Sequence, residues 1–287
     1  MHLIFALLSA NPLLPVGDEH VGDPRPTLYV HLHKAGGSTA CTAFQRCGSL
    51  TTVASPQCNC APFSTSPPAG EALLASDANA ISTWMAEKGV SLCMVEDASK
   101  WPPASVWQQL KRQFKLVITL REPFARFWSS YERDFDICGR QSVQEYYLRS
   151  CKKVAPHAYH GIGSGSFGVH MPNFYVHALT GTAHAAPDGG SYESPVVASD
   201  LAAAKDALRA FDDVLILEES DWMERLWAVA GCPGRNDTIQ RTNNDVPLPD
   251  AAMAQHDNET FVAQWRSENA LDIELYEFSR GLVYSNT

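Results

Sequence analysis

Two short stretches of this sequence combine residue types at spacings that suit the binding of a phosphate-like anion. The first is His33-Lys-Ala-Gly-Gly-Ser-Thr39, which joins an apolar run to a helix-forming segment. Gly36 and Gly37 let the backbone turn tightly and approach a ligand closely. A helix that starts there offers unpaired N–H donors and partial positive charge. Lys34 adds a full charge, Ala35 adds backbone, and Ser38 and Thr39 add hydroxyls, so residues 34–39 together make an anion cradle. The simpler reading is an ordinary strand-to-helix turn with a surface lysine. The stretch is not a Walker A loop, because Lys34 precedes the glycines instead of following them.

The second stretch is Val117-Ile-Thr-Leu-Arg-Glu-Pro-Phe-Ala-Arg-Phe-Trp-Ser-Ser-Tyr131. A strand ends at Arg121, and Pro123 opens a helix at its preferred first turn. Arg121 then stands at the carboxyl end of a strand, where ligands of open α/β sheets bind. Ser129 follows two helical turns on, on a face that can point to the same place. Arginine suits a phosphate because its guanidinium forks onto two oxygens. Arg126 reads equally as a ligand contact or as a helix-surface ion pair. Phe127, Trp128 and Tyr131 read as core.

These loops need strands and helices to position them. Apolar β-rich runs predict strands at 27–32, 90–95, 115–120 and 214–217. Helical patterns predict helices from Ser38 or Thr39 as cap to about residue 46, and at 77–88, 102–114, 123–134, 201–211, 222–230 and 259–282. Residues 49–70 and 159–171 read as irregular loops. Strands alternating with helices imply an α/β fold with a parallel sheet flanked by helices. We read residues 27–287 as a single domain. Residues 1–10 form an apolar run of signal-peptide length without preceding basic residues, so 1–26 reads as a signal or truncated anchor followed by a linker. No other run approaches the length of a spanning helix.

The two stretches resemble the donor-binding motifs of carbohydrate sulfotransferases, a family that includes Golgi heparan sulfate 2-O- and galactose 3-O-sulfotransferases. His31-Leu-His-Lys-Ala-Gly-Gly-Ser38 is similar to the family's 5′-phosphosulfate loop, with His33 where proline is usual. Leu120-Arg-Glu-Pro-x-x-Arg126-x-x-Ser129-x-Tyr131 is similar to its 3′-phosphate motif, with Glu122 where Asp or Asn is usual. Asn173 to Gly181, Phe211 to Glu218 and Asn269 to Phe278 resemble later elements, so the likeness spans residues 27–283, weakest over 48–89. The resemblance implies a P-loop-like sulfotransferase fold and transfer of a sulfuryl group from PAPS (3′-phosphoadenosine-5′-phosphosulfate) to a hydroxyl, with PAP as product and no metal. It implies that Lys34 serves the bridging oxygen and that Arg121 and Ser129 bind the 3′-phosphate. By the same resemblance a base stands at the end of the second strand, which makes Glu96 the first candidate and Asp97 the second. His157, His160 and His170 are rivals, and Arg241 lies in a late loop that closes over the donor in the family.

The bulk numbers narrow the alternatives. The chain has 287 residues, is 45% hydrophobic and carries a net charge of −10, which argues against general nucleic-acid binding. Residues 111–153 hold ten basic side chains against five acidic ones, which reads either as a solvated face or as an anion-binding centre. The eight cysteines include Cys58-Asn-Cys60, a spacing that does not suit zinc. An even cysteine count and the sequons at Asn236 and Asn258 favour the secretory pathway, and the resemblance makes that the Golgi. Cys138 and Cys151 flank a basic stretch and are candidates for a bridge. The acceptor is read as a carbohydrate, with protein tyrosine and small metabolites as other hydroxyl sources. A P-loop-type small-molecule kinase is the first rival function, and a non-catalytic nucleotide- or glycan-binding relative is the second.

Overall fold

The computed structural model describes residues 23, 25–32, 34–53, 58–60, 78–96, 102–135, 142–149, 172–182, 195–239, 253–254, 256 and 258–285. The four apolar runs form β1 (Thr27–His31), β2 (Leu92–Val95), β3 (Lys115–Leu120) and β4 (Asp213–Ile216). They pair in one all-parallel sheet of order β2-β1-β3-β4. The α/β class and the parallel sheet flanked by helices are therefore as expected. The strands are largely apolar and almost wholly buried because helices cover both faces.

The described helices are α1 (Gly37–Cys47), α2 (Ala78–Lys88), α3 (Ala104–Leu110), α4 (Pro123–Asp134), α5 (Val143–Arg149), α6 (Phe174–Thr180), α7 (Ala198–Leu208), α8 (Trp222–Val229), α9 (Glu259–Glu268) and α10 (Ala270–Ser285). The period of two along each strand sorts side chains between two cores. Leu28, Val30, Leu116, Ile118 and Leu120 pack with α3, α6, α7 and α10. Tyr29, Val117 and Leu215 pack with α1 and α8. A third, largely aromatic cluster joins α4, α5 and α9, and it absorbs Phe127, Trp128 and Tyr131 as core.

Three expectations need correction. The long helix expected over 259–282 is two helices that break at Asn269. Its side-chain amide donates to the Tyr147 hydroxyl and to the Trp265 carbonyl, while Oδ1 takes the Asn173 N–H, so tertiary bonds end α9 there. Segment 174–180, not read as helix, is α6. Asn173 enters it with φ 57°, and its side chain accepts from the Leu271 and Asp272 N–H groups. Asp272 returns the favour by accepting from Tyr175 and Val176, so each helix caps the other. Finally, Ser38 and Thr39 do not cap α1. Its N-cap is Gly36, and no side chain bonds there.

Burial pushes Asp272 up to about 6, outweighing its two backbone donors and the nearby Arg126. Its folded-state value thus lies above the unfolded one, and its contribution to stability is complete below pH ~4 and lost as pH rises through ~6. The stability of the native chain relative to Asp272→Asn should fall across that window and level off above it. Urea unfolding of both proteins from pH 4 to pH 7 reads this directly; a difference independent of pH contradicts it.

Among the described residues, three disulfides tie the fold together: Cys41–Cys58, Cys47–Cys232 and Cys60–Cys93. Cys58 and Cys60 are thus covalently engaged on two different elements, α1 and β2. Cys138 and Cys151 lie outside the described residues. No helix among the described residues is long and apolar enough to cross a membrane.

Candidate functional site

The strand order reverses at β1. The chain runs from β1 outward to β2, then returns to the far side of β1 for β3 and β4. In open parallel sheets the crevice beyond the strand tips at such a point is where ligands bind. The loop after β1 carries Lys34, and β3 ends beside Arg121, so the two residues flank this crevice.

The loop is shaped for an anion by its backbone. Lys34 has φ 65° and Gly36 φ 84°, both left-handed, with the Ala35 N–H bonded to the Leu32 carbonyl. Alternating left-handed residues turn successive N–H groups toward one concavity. Beyond Gly36 the helix begins without a side-chain cap, which leaves the first-turn donors of Gly37, Ser38 and Thr39 directed outward. Ser38 is exposed, Thr39 and Lys34 are half-buried, and Ala35 is buried. Neither glycine has room for a side chain. A Cβ at Gly36 would come within 3.1 Å of Leu217, and one at Gly37 within 2.1 Å of the His31 ring.

Arg121 is held from several directions. Its Nη1 donates to the Lys34 carbonyl at 3.3 Å, and its Nε lies 3.9 Å from a Glu218 carboxylate oxygen. The backbone of Arg121 is pinned by the buried Tyr175 hydroxyl, which accepts from its N–H and donates to its carbonyl. Burial holds the Tyr175 phenol protonated, far above its ordinary range. Glu218 also accepts from the Glu122 N–H and from the Tyr276 hydroxyl. Glu122 caps α4 by accepting from the Ala125 N–H, and burial raises its carboxyl above the usual range. Sequence reasoning missed Tyr175 and Glu218 because neither lies in a loop with a phosphate-binding pattern.

The remaining site residues divide. Ser129 lies in the second turn of α4 and is nearly buried, at 4% exposure. Arg126 does not stand on the helix surface. It is buried, with its guanidinium 4.6 Å from the Phe174 ring centre and 5.3 Å from that of Tyr175. Within the basic stretch, Lys111 and Lys115 pair with Asp212 and Asp213 at the amino end of the sheet, away from Arg121 at the crevice, while Arg140, Lys152 and Lys153 lie outside the described residues. Arg241, Asp97, His157, His160 and His170 lie outside the described residues.

Glu96 follows β2 and is half-buried. Its Oε2 accepts from the Asn59 amide at 3.0 Å, and the Asn59 carbonyl oxygen lies 3.0 Å from Nε2 of His31. The strand tips therefore set out a row in space: Glu96, the Lys34 loop, Arg121 and Glu218. The strands that carry them run side by side, about 4.8 Å apart.

Fold and site together define an open parallel α/β protein with a crevice at the switch in its strand order, where Lys34 and Arg121 stand beside the acids Glu96 and Glu218. No protein-family model matches the chain, and no curated protein or solved structure matches it.

Proposed function

We propose that this protein is a sulfotransferase of the P-loop-like fold, moving a sulfuryl group from PAPS to a hydroxyl, with a carbohydrate as the favoured acceptor. One observation carries the reading: the Arg121 guanidinium reaches the carbonyl of Lys34, so the residues of both phosphate-type motifs share one crevice. The order of the strand tips fits the chemistry. Arg121 stands where the 3′-phosphate is anchored, the Lys34 loop where the phosphosulfate lies, and Glu96 on the opposite side, where the acceptor enters.

The residues fit such a donor. The uncapped start of α1 offers backbone N–H groups to a phosphate. The donor supplies an activated sulfur–oxygen bond. Glu96 takes the proton from the acceptor hydroxyl as its oxygen attacks sulfur. Lys34 meets the charge that builds on the bridging oxygen as that bond breaks and PAP departs, while loop N–H groups hold the 5′-phosphate. The three disulfides point to an oxidising environment, and with exposed Asn236 they support the lumen of the secretory pathway, the Golgi included.

Titration with PAP and with ATP–Mg²⁺ tests the donor. Binding of PAP in preference to ATP is expected, and the reverse preference supports the kinase reading instead. A transfer assay with PAPS over a panel of sugars, tyrosine peptides and small hydroxyl compounds then tests turnover. PAP binding without transfer to any of them would leave a nucleotide-binding relative.

A further inference from the structure

Asn59 is a residue whose side chain no phosphate-type motif accounts for, yet it is among the most firmly held in the molecule. The residues on both sides of it are disulfide-bonded, Cys58 to Cys41 on α1 and Cys60 to Cys93 on β2. Its backbone runs parallel to β2 at Met94, with the Cys60 N–H bonded to the Met94 carbonyl and the Met94 N–H to the Cys58 carbonyl. Cys58 and Cys60 are both fully buried. The short segment thus adds a clamped edge to the sheet beside the tip of β2.

The clamp aims the amide at two groups of the crevice. Nδ2 donates to Oε2 of Glu96, and Oδ1 faces Nε2 of His31, each at 3.0 Å. An amide has a fixed donor end and a fixed acceptor end. Its donor end suits an ionised carboxylate, and its acceptor end selects the His31 tautomer with the proton on Nε2. The opposite face of the same imidazole backs onto Gly37 of the anion loop. The chain α1 loop–His31–Asn59–Glu96 therefore links the donor cradle to the acid at the acceptor side.

We infer that Asn59 is a positioning residue for Glu96: it binds one carboxylate oxygen and favours the ionised form. This rests on the reading of Glu96 as the base. The disulfide pairs supply the rigidity that such positioning needs, since a base displaced by about 1 Å loses much of its effect. Asn59 touches residues and not substrate, Glu96 at its donor end and His31 at its acceptor end, so it acts on turnover by holding Glu96.

The test has two arms, run on the full chain. In the first, Glu96 is followed by the ¹³C signal of its carboxyl carbon in glutamate-labelled protein, assigned by its loss in Glu96→Gln. Among titratable groups, His31 faces it across Asn59 and Asp97 follows it in sequence, while Cys58, Cys60 and Cys93 are bonded and do not titrate. Asn59→Leu removes a donor to the charged form and should raise the titration midpoint by about one pH unit. Asn59→Asp keeps the shape, sets a like charge beside Glu96 and should raise it further; it also serves if the leucine variant folds poorly. An unchanged midpoint in both overturns the inference. In the second arm, Asn59→Leu should lower kcat about 10-fold to 100-fold with PAP affinity unchanged, and should add no further loss in the Glu96→Gln background. Additive losses overturn it, because they show an effect that does not pass through Glu96. A shifted midpoint in a native chain that transfers nothing rejects the sulfotransferase reading and still upholds the contact.

Discussion

Replacing Lys34 by alanine should lower sulfuryl transfer about a thousandfold while weakening PAP binding less than tenfold. The asymmetry follows from when charge appears. The bridging oxygen becomes strongly negative only as the sulfur–oxygen bond breaks, so an ammonium aimed at it stabilises the transition state far more than the bound donor. The substitution leaves the rest of the cradle in place. Arg121 bonds to the backbone carbonyl of residue 34, which alanine retains. The N–H groups at the start of α1 are untouched as well. Turnover and PAP affinity measured together separate this result from a collapsed site, in which both fall. Unchanged turnover would remove Lys34 from the mechanism.

The same position carries a second, opposite expectation. Lys34 sits at φ 65°, a conformation that costs a residue with a side chain about 1 kcal/mol. Lys34→Gly should relieve that strain and raise stability by up to about that amount while abolishing transfer, as read by urea unfolding beside the activity assay.

The parts of the fold that were legible in the sequence are those fixed by local pattern. Four apolar runs became the four strands, and Pro123 and Gly89 marked a helix start and a helix end where expected. The juxtaposition of Lys34 and Arg121 was legible because both sit at carboxyl ends of parallel strands, and the sheet order makes those ends neighbours. What stayed hidden depends on distant partners. α6 begins at a left-handed asparagine whose caps come from residues nearly a hundred positions away. The break at Asn269 interrupts a continuous helical pattern and is set by Tyr147 and Asn173. The pairing of Cys58 with Cys41 and of Cys60 with Cys93 has no signature in spacing, and without it Asn59 is only a polar residue in a loop. Arg126 looked like a helix-surface charge because its aromatic partners lie on α6.

Gly37→Ala should destabilise the protein and cut PAP affinity at least tenfold, although helix propensity alone argues for the change. Gly37 is the first residue of α1, and its backbone needs no glycine-only conformation. Alanine there gains up to about 1 kcal/mol of intrinsic helix preference. Against that stands the imidazole of His31. A Cβ at residue 37 would lie 2.1 Å from Nδ1 and 2.2 Å from Cε1 of that ring, closer than any non-bonded contact allows. His31 is 2% exposed and engages Asn59 on its other side, so it has no open space to swing into. Either the ring leaves Asn59 or the start of α1 moves off the crevice. Overpacking of this kind costs about 1–3 kcal/mol, which outweighs the helical gain. The site effect follows from the proposed roles: one displacement disturbs the loop proposed to hold the 5′-phosphate, and the other loosens the residue proposed to orient Glu96. Truncating the ring separates steric pressure from other causes. In His31→Ala the added methyl group has room, so Gly37→Ala should be close to neutral for stability in that background and the two changes strongly sub-additive. Equal penalties in both backgrounds would mean that the ring is not what excludes a side chain at residue 37.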